Sequence, residues 1–366
     1  MSEDKKWQLE LEEYIRQGEP DRMEKSAAWQ TAIGLQAVDG LKTSEYLLDT
    51  AKKHIEGRIG IDEAEKRIQS YYEERNDRHQ IEDGTKEADI VSARIAKILG
   101  EKAFQFSPAE WFSIHHRLFE GVFEHAGKVR TYNITKKEWV LKGDTVTYAA
   151  WNSIKETLDY DFNTEKQFSY DGLSLAEAVR HLAKFTSDIW QIHPFGEGNT
   201  RATAVFMIKY MKTFGFDVCN DAFENHSWYF RNALVRANYN DWKNKVHATT
   251  KFLEQFFSTL LMGTAYELKN RYMHLDYAEE EAFQSANTEI SKCQNGTLDG
   301  TLKLKPNELV LLKMLAENPE ITQVQIAEQT GKSVRTIKRE MSKLKEKGYI
   351  RRINGNRNGK WEVLEG

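Results

Sequence analysis

The sequence predicts an all-α protein: a helical bundle interrupted by one β-hairpin and followed by a small basic tail. Three observations carry that reading. First, apolar residues recur at three- and four-residue steps through Ala88 to Leu99, Pro108 to Phe119, Trp151 to Phe162, Ser174 to Trp190, Thr203 to Phe214, Asp221 to Ala237 and Asn240 to Leu260, the spacing of helices with one buried face. Second, the stretch from Gly127 to Ala150 carries Tyr132-Asn133-Ile134, then Glu138-Trp139-Val140-Leu141, a Lys142-Gly143-Asp144 turn and Thr145-Val146-Thr147-Tyr148, which reads as a hairpin. Third, the charge changes sign along the chain. From Thr301 onward there are 14 Lys/Arg against 8 Asp/Glu, a balance of +6, which leaves 38 against 48, or −10, for everything before it.

Length and composition agree. A chain of 366 residues, 40% hydrophobic and 30% charged, is expected to fold as two or three ordinary domains. The pattern divides it into an N-terminal helical arm (1–75), a main helical domain (76–265), a helix end and linker (266–300) and the basic tail (301–366). The N-terminus is charged, without the apolar centre of a signal peptide, and no apolar run approaches the length of a membrane span. Cys219 and Cys293 lie far apart and outside any metal-ligand spacing, which favours a reducing compartment. A cytoplasmic protein with no membrane partner is the expectation.

The most informative stretch is Ile192-His193-Pro194-Phe195-Gly196-Glu197-Gly198-Asn199-Thr200-Arg201. Pro194 biases His193 away from helical geometry, so the preceding helix ends there with an imidazole on its rim. Histidine titrates near neutrality and suits general-base work. Gly196 and Gly198 permit backbone angles other residues avoid, and the amides after them open the next helix, where an anion is favoured. Glu197 beside a polyphosphate is a natural magnesium ligand, and Arg201 can clamp phosphate with its fork of donors. Taken singly, the histidine is an ordinary helix-end hydrogen bonder, the glutamate a solvated carboxylate and the arginine a surface ion pair. Together they describe a phosphate site.

This run resembles the signature of the Fic family, His-Pro-Phe-x-(Asp/Glu)-Gly-Asn-Gly-Arg-x-x-Arg, with two departures: Thr200 replaces glycine and Ala204 replaces the second arginine. The resemblance implies a Mg2+-dependent protein adenylyltransferase that moves AMP from its substrate ATP to a Tyr, Thr or Ser hydroxyl of a target protein or of itself. His193 would take the hydroxyl proton, Phe195 anchor the loop and Glu197 hold magnesium. Gly196, Gly198, Asn199, Thr200 and Arg201 would bind the phosphates, and Arg231, Arg236, Tyr239 and Asn240 would lie around the adenine. The hairpin would be the family's flap, whose edge at Glu138, Trp139, Val140 and Leu141 pairs with the target's backbone. Losing the second arginine removes a charge-assisted contact of about 1.5–3 kcal/mol, roughly tenfold to a hundredfold in affinity.

Upstream, the run from Trp29 to Leu41 is similar to the VbhA-type antitoxin segment of Fic proteins, whose inhibitory helix carries (Ser/Thr)-x-x-x-Glu-(Gly/Asn). Leu35 takes the hydroxyl position, Asp39 the glutamate position, and Gly40 is kept. The family's glutamate pairs with the second arginine of the signature. With Ala204 there, Asp39 is expected to have no cation to hold, so the brake should be weak or absent. The plain alternative is that Asp39-Gly40 only ends a helix.

In the tail, an amphipathic stretch with Leu309, Leu312 and Leu315 precedes a second helix from Thr322 to Thr330 and a third capped by Ser333. In the third, Val334, Ile337, Met341 and Leu344 face inward, and Arg335, Thr336, Lys338 and Arg339 face out. A closing hairpin places Arg357 at a glycine-rich tip. This resembles a winged helix-turn-helix, in which the arginines would meet phosphates and base edges of DNA. Winged helices also dock proteins. Two further functions are therefore carried beside AMP transfer: a Fic enzyme with altered nucleotide or phosphate transfer, and a nucleotide-binding, DNA-binding regulator without turnover. A homodimer is compatible with either.

Overall fold

The computed structural model describes residues 20–73, 83–216, 222–264 and 266–277, and in the tail 311–312, 314–315, 318–319, 321–330, 334–346, 350–353 and 360–363. The N-terminal arm supplies α1 (Pro20–Gly34), a 3-10 turn (Leu35–Asp39), α2 (Glu45–Ile55) and α3 (Ile61–Glu73). The bundle continues with α4 (Asp83–Gly100), α5 (Pro108–Phe119), α6 (Ile154–Gln167), α7 (Leu175–Ile192), α8 (Asn199–Thr213), α9 (Ala222–Ala237) and α10 (Lys251–Met262). Local chemistry starts these helices. Ser44 and Ser107 cap α2 and α5, accepting from Leu47 and Glu110 amides, and Ser174 forms a full capping box with Glu177 at the start of α7.

The arm is not an appendage. Trp29, Leu35, Leu47, Ile55, Ile68 and Tyr72 belong to the same buried cluster as Trp111, Phe195 and Phe206 of the bundle. Gly34 lets α1 lie against α9 so closely that a Cβ there would fall 2.4 Å from the Glu224 Cα. Buried Asp89 of α4 accepts from the Ser44 amide at 2.8 Å and the Tyr72 hydroxyl at 2.6 Å, so one carboxylate ties α2 and α3 to the bundle. Burial pushes that carboxyl above its ordinary range, against the pull of those donors.

In the bundle, the seven predicted helices and α4 to α10 agree in number and order, with two instructive shifts at their starts; the first tail helix expected around Leu309 falls largely outside the described residues. Helix α8 begins at Asn199, four residues before the periodicity suggests, so the polar residues of the signature form its first turn. Helix α10 begins at Lys251, because residues 241–246 make a closed turn held by reciprocal Asp241–Val246 backbone bonds of 2.9 Å. The all-α class stands.

The flap is corrected in detail. No strand forms between Gly127 and Ala150; among the described residues the one sheet is the antiparallel pair β1 (Ile350–Ile353) and β2 (Lys360–Val363) of the tail. The chain does double back, with the Glu138 and Gly143 amides donating to Asp144 and Glu138 carbonyls at 2.9 Å. Its tip instead coils into a 3-10 turn (Trp139–Leu141), because the neighbours Val140 and Leu141 are both buried, and a strand would point one of them outward.

In the tail, α11 (Gln323–Thr330) and α12 (Val334–Glu346) pack with β1 and β2 around Leu312, Leu315, Ile326, Ile337, Met341, Leu344 and Trp361, a cluster of its own. Lys338 and Arg339 are exposed on α12, as expected. The side chains of Arg335 and Thr336, and the whole of Arg357, lie outside the described residues.

Candidate active site

Helix α7 ends at His193, whose backbone is left-handed at φ 49, a conformation that is uncommon outside glycine. Arg130 holds it there. This side chain, 4% exposed, donates to the carbonyls of His193 (2.7 Å), Tyr132 (2.6 Å), Ala149 (2.5 Å) and Ile192 (3.2 Å), and its own amide donates to Pro194 at 2.8 Å. Arg130 thus ties the flap segment to the signature turn at several points.

The imidazole of His193 is buried under Tyr148, ring centres 4.2 Å apart, and edge-on to Trp190. Its Nδ1 lies 3.1 Å from the Trp190 carbonyl, which can only accept; Nδ1 therefore carries the proton and Nε2 is the free base. Burial holds the ring's pKa well below the ordinary histidine range, with the Lys136, Arg231 and Arg130 charges adding to the effect and the Trp190 bond opposing it. The ring is neutral at physiological pH.

The turn itself is built from the inside. Phe195 is fully buried and stacks on His115 at 3.7 Å. His115 accepts the Gly127 N–H at Nδ1 (2.8 Å), so its Nε2 donates to the Glu197 carbonyl (2.9 Å). Burial pushes its pKa down to about 4, which keeps that bridging tautomer neutral. The Asn199 side chain closes the loop on Phe195, accepting from its amide at 3.0 Å and donating to its carbonyl at 2.7 Å. Gly198 sits at φ 74, and a Cβ would strike the Phe119 ring at 2.4 Å. What the turn leaves toward an anion is the amides at the start of α8, which lack partners within the helix.

The two departures have clear fates. Thr200 turns inward: its Oγ1 accepts from the Trp190 indole at 3.0 Å, so the hydroxyl braces α7 against α8. Ala204 is wholly buried in the core. Arg201, 1% exposed, lies over the Phe119 ring and faces the arm. Its guanidinium donates to Gln36 Oε1 at 3.0 Å and Glu87 Oε1 at 2.5 Å, and Asp39 Oδ2 stands 2.8 Å from Nε, off the N–H direction. The expectation that Asp39 has no cation is therefore corrected: with no arginine at position 204, the aspartate takes the first arginine. Leu35 is core, and Gly40 ends the 3-10 turn at φ 70, so Asp39-Gly40 is both a helix end and a charged latch.

Glu197 is exposed and pairs with Lys136 Nζ at 3.1 Å. Among the described residues no group of three or more His, Cys, Asp or Glu side chains could hold a metal ion. A lone carboxylate still fits magnesium that arrives with a nucleotide, since Mg2+ needs one or two carboxylates and draws its other ligands from phosphate and water. The flap residues do not present a free edge as expected. Glu138 is buried in a two-pronged pair with Arg231 (2.6 and 3.1 Å), Val140 and Leu141 are core, and only Trp139 is exposed. Tyr239 is engaged with Asp144 at 2.8 Å and Asn240 with the Ala248 amide at 3.0 Å. Arg130, His115, Glu87 and Lys136 were not singled out from sequence; each acts across the fold, and no local spacing announces it.

Residues 105–211 match the family model described as Fic/DOC family, and residues 304–351 match that described as winged helix-turn-helix DNA-binding. No curated protein matches. Among solved structures, the chain is similar to the N-terminal FIC domain of Bep8, a VirB-translocated effector of Bartonella sp. 1-1C (22% identity, 50% of this chain and 88% of that one, TM-score 0.39). It is similar too to BepC of Bartonella tribocorum, solved with AMPPNP (23%, 49% and 88%, 0.38), and to a Fic family protein of Desulfovibrio desulfuricans G20 (12%, 94% and 88%, 0.41).

Proposed function

We propose, from the premise that this chain carries a Fic/DOC-family domain over residues 105–211 and a winged helix-turn-helix over 304–351, that it transfers the AMP part of ATP to a protein hydroxyl. The observation that carries the reading is the fixed tautomer of His193: Nδ1–H is spent on Trp190, leaving a neutral Nε2 acceptor a few residues before the open amides of α8. In this account the target hydroxyl loses its proton to Nε2 as its oxygen bonds to the α-phosphorus, and pyrophosphate departs. Amides of the α8 first turn bind phosphate oxygens. Glu197 would hold Mg2+, which when bound neutralises phosphate charge. Arg201 would bind the β-phosphate once Asp39, Gln36 and Glu87 release it.

Labelled ATP tests the chemistry. The intact chain given α-labelled ATP and Mg2+ should label protein, and His193→Ala should not; label that arrives only from the γ position would establish phosphate transfer instead. A DNA-directed role for the tail is favoured by Lys338 and Arg339 on α12 and by Arg351 and Arg352 on β1, all exposed. The full chain should shift duplex DNA in a gel at low salt, with affinity falling steeply as salt rises. Absence of any shift would leave protein docking as the tail's role.

A further inference from the structure

Polyphosphate carries several negative charges, and the signature turn is short of cations to meet them. Ala204 replaces one arginine. The other, Arg201, is flanked by Asp39 and Glu87, so that trio carries a net charge of −1 and does not attract an anion while the latch is closed. The remaining signature charge, Glu197, is itself negative.

Among the described residues, Lys136 brings a cation to the signature turn. Lys136 comes from the flap segment, where its amide donates to Thr145 Oγ1, and reaches the Glu197 carboxylate 61 residues away in sequence. Its side chain is 26% exposed, while Glu197 is 58% exposed, so the lysine is the better buried partner of the pair. After burial, the Lys136 charge also helps hold the His193 imidazole below its ordinary pKa range.

We propose that Lys136 is a phosphate-binding residue of this site, held on Glu197 in the free chain and transferred to the incoming polyphosphate when the nucleotide is bound. The inference rests on the reading that the site takes a magnesium nucleotide, and it deepens it: the flap would contribute a cation that the signature lacks. An ammonium on a flexible stem suits such an exchange, because it makes no geometric demand on either partner. The exchange also frees Glu197 at the moment a metal could use it.

The test is calorimetric binding of inorganic pyrophosphate to the intact chain in the presence of a chelator, so that no metal contributes. Lys136→Met should weaken binding about tenfold, the loss of one charge-assisted contact. Glu197→Gln should tighten it, since the lysine is released, and the double variant should show no such gain. Equal affinity in wild type and Lys136→Met, or a Glu197→Gln gain that survives in the double variant, overturns the proposal while leaving nucleotide transfer intact. If wild type takes up neither pyrophosphate nor Mg–ATP, both fall together. Lys136 is partly exposed, and circular dichroism of the variants checks that folding is unchanged.

Discussion

The two ends of the signature turn are held by opposite kinds of chemistry. Around His193 the grip is neutral or one-sided: carbonyls converge on Arg130, and an uncharged His115 bridges Gly127 to Glu197. Around Arg201 the grip is ionic, with Asp39 and Glu87 reaching in from the arm and from α4. A carbonyl cage has nothing to exchange its arginine for, whereas a carboxylate can be traded for a phosphate. On the proposed function, the base end would therefore keep one geometry, and the phosphate end would exchange between two.

Acid should separate them most sharply. The free imidazole has an ordinary pKa of 6.5 and folded His115 about 4, so the folded state disfavours its protonation. The stability it contributes is complete above pH 6.5 and is lost as pH falls from there to about 4, a total of about 3 kcal/mol. Lowering of the His193 pKa acts in the same direction. Urea unfolding of wild type and His115→Gln across that window should show the loss steeper in wild type. Parallel curves would mean that His115 does not grip the turn.

Arg130 is next in size. Arg130→Met should lower kcat about a hundredfold with little change in KM for ATP, because the base is misplaced by a fraction of an ångström while the α8 amides are untouched. Arg130→Lys should fall between. A change confined to KM would assign Arg130 to the phosphate end and erase the contrast.

Much of this architecture is legible in the sequence, and the part that is not has a common cause. Helix periodicity found α4 to α9, and the signature identified the turn, because both are written within a few residues of chain. The Gly127 to Ala150 segment reads as a hairpin because its runs flank a Lys142-Gly143-Asp144 turn, yet the adjacent Val140 and Leu141 are buried together, which a strand does not allow. Arg201 misled because its partners are distant: Gln36 lies 165 residues away and Glu87 lies 114 away. A pairing rule applied position by position noted the missing cation at 204 and concluded that Asp39 was idle. It is the fold that turns Arg201 toward the arm.

That latch gives the third prediction. Asp39→Ala removes one of two carboxylates from Arg201 without stranding it, since Glu87 remains. Mg–ATP affinity should rise about tenfold, and labelling from α-labelled ATP should rise with it. Unchanged affinity would show that Arg201 leaves the arm at no cost, making the ionic end no more a brake than the other.

The smallest effect concerns the brace between the ends. Restoring the family's glycine with Thr200→Gly would be expected to help phosphate approach if the threonine obstructed it, but its hydroxyl points away, onto the buried Trp190 indole. Removing it leaves an N–H unpaired in the core and adds backbone entropy within the first turn of α8, so stability should fall by about 1–2 kcal/mol. Thr200→Ser, which keeps the oxygen, should recover most of that. Nucleotide affinity should stay near wild type in both. Should the glycine variant instead bind Mg–ATP much more tightly at unchanged stability, Thr200 would belong to the phosphate end, and the turn would be divided one residue earlier than the hydrogen bonds divide it.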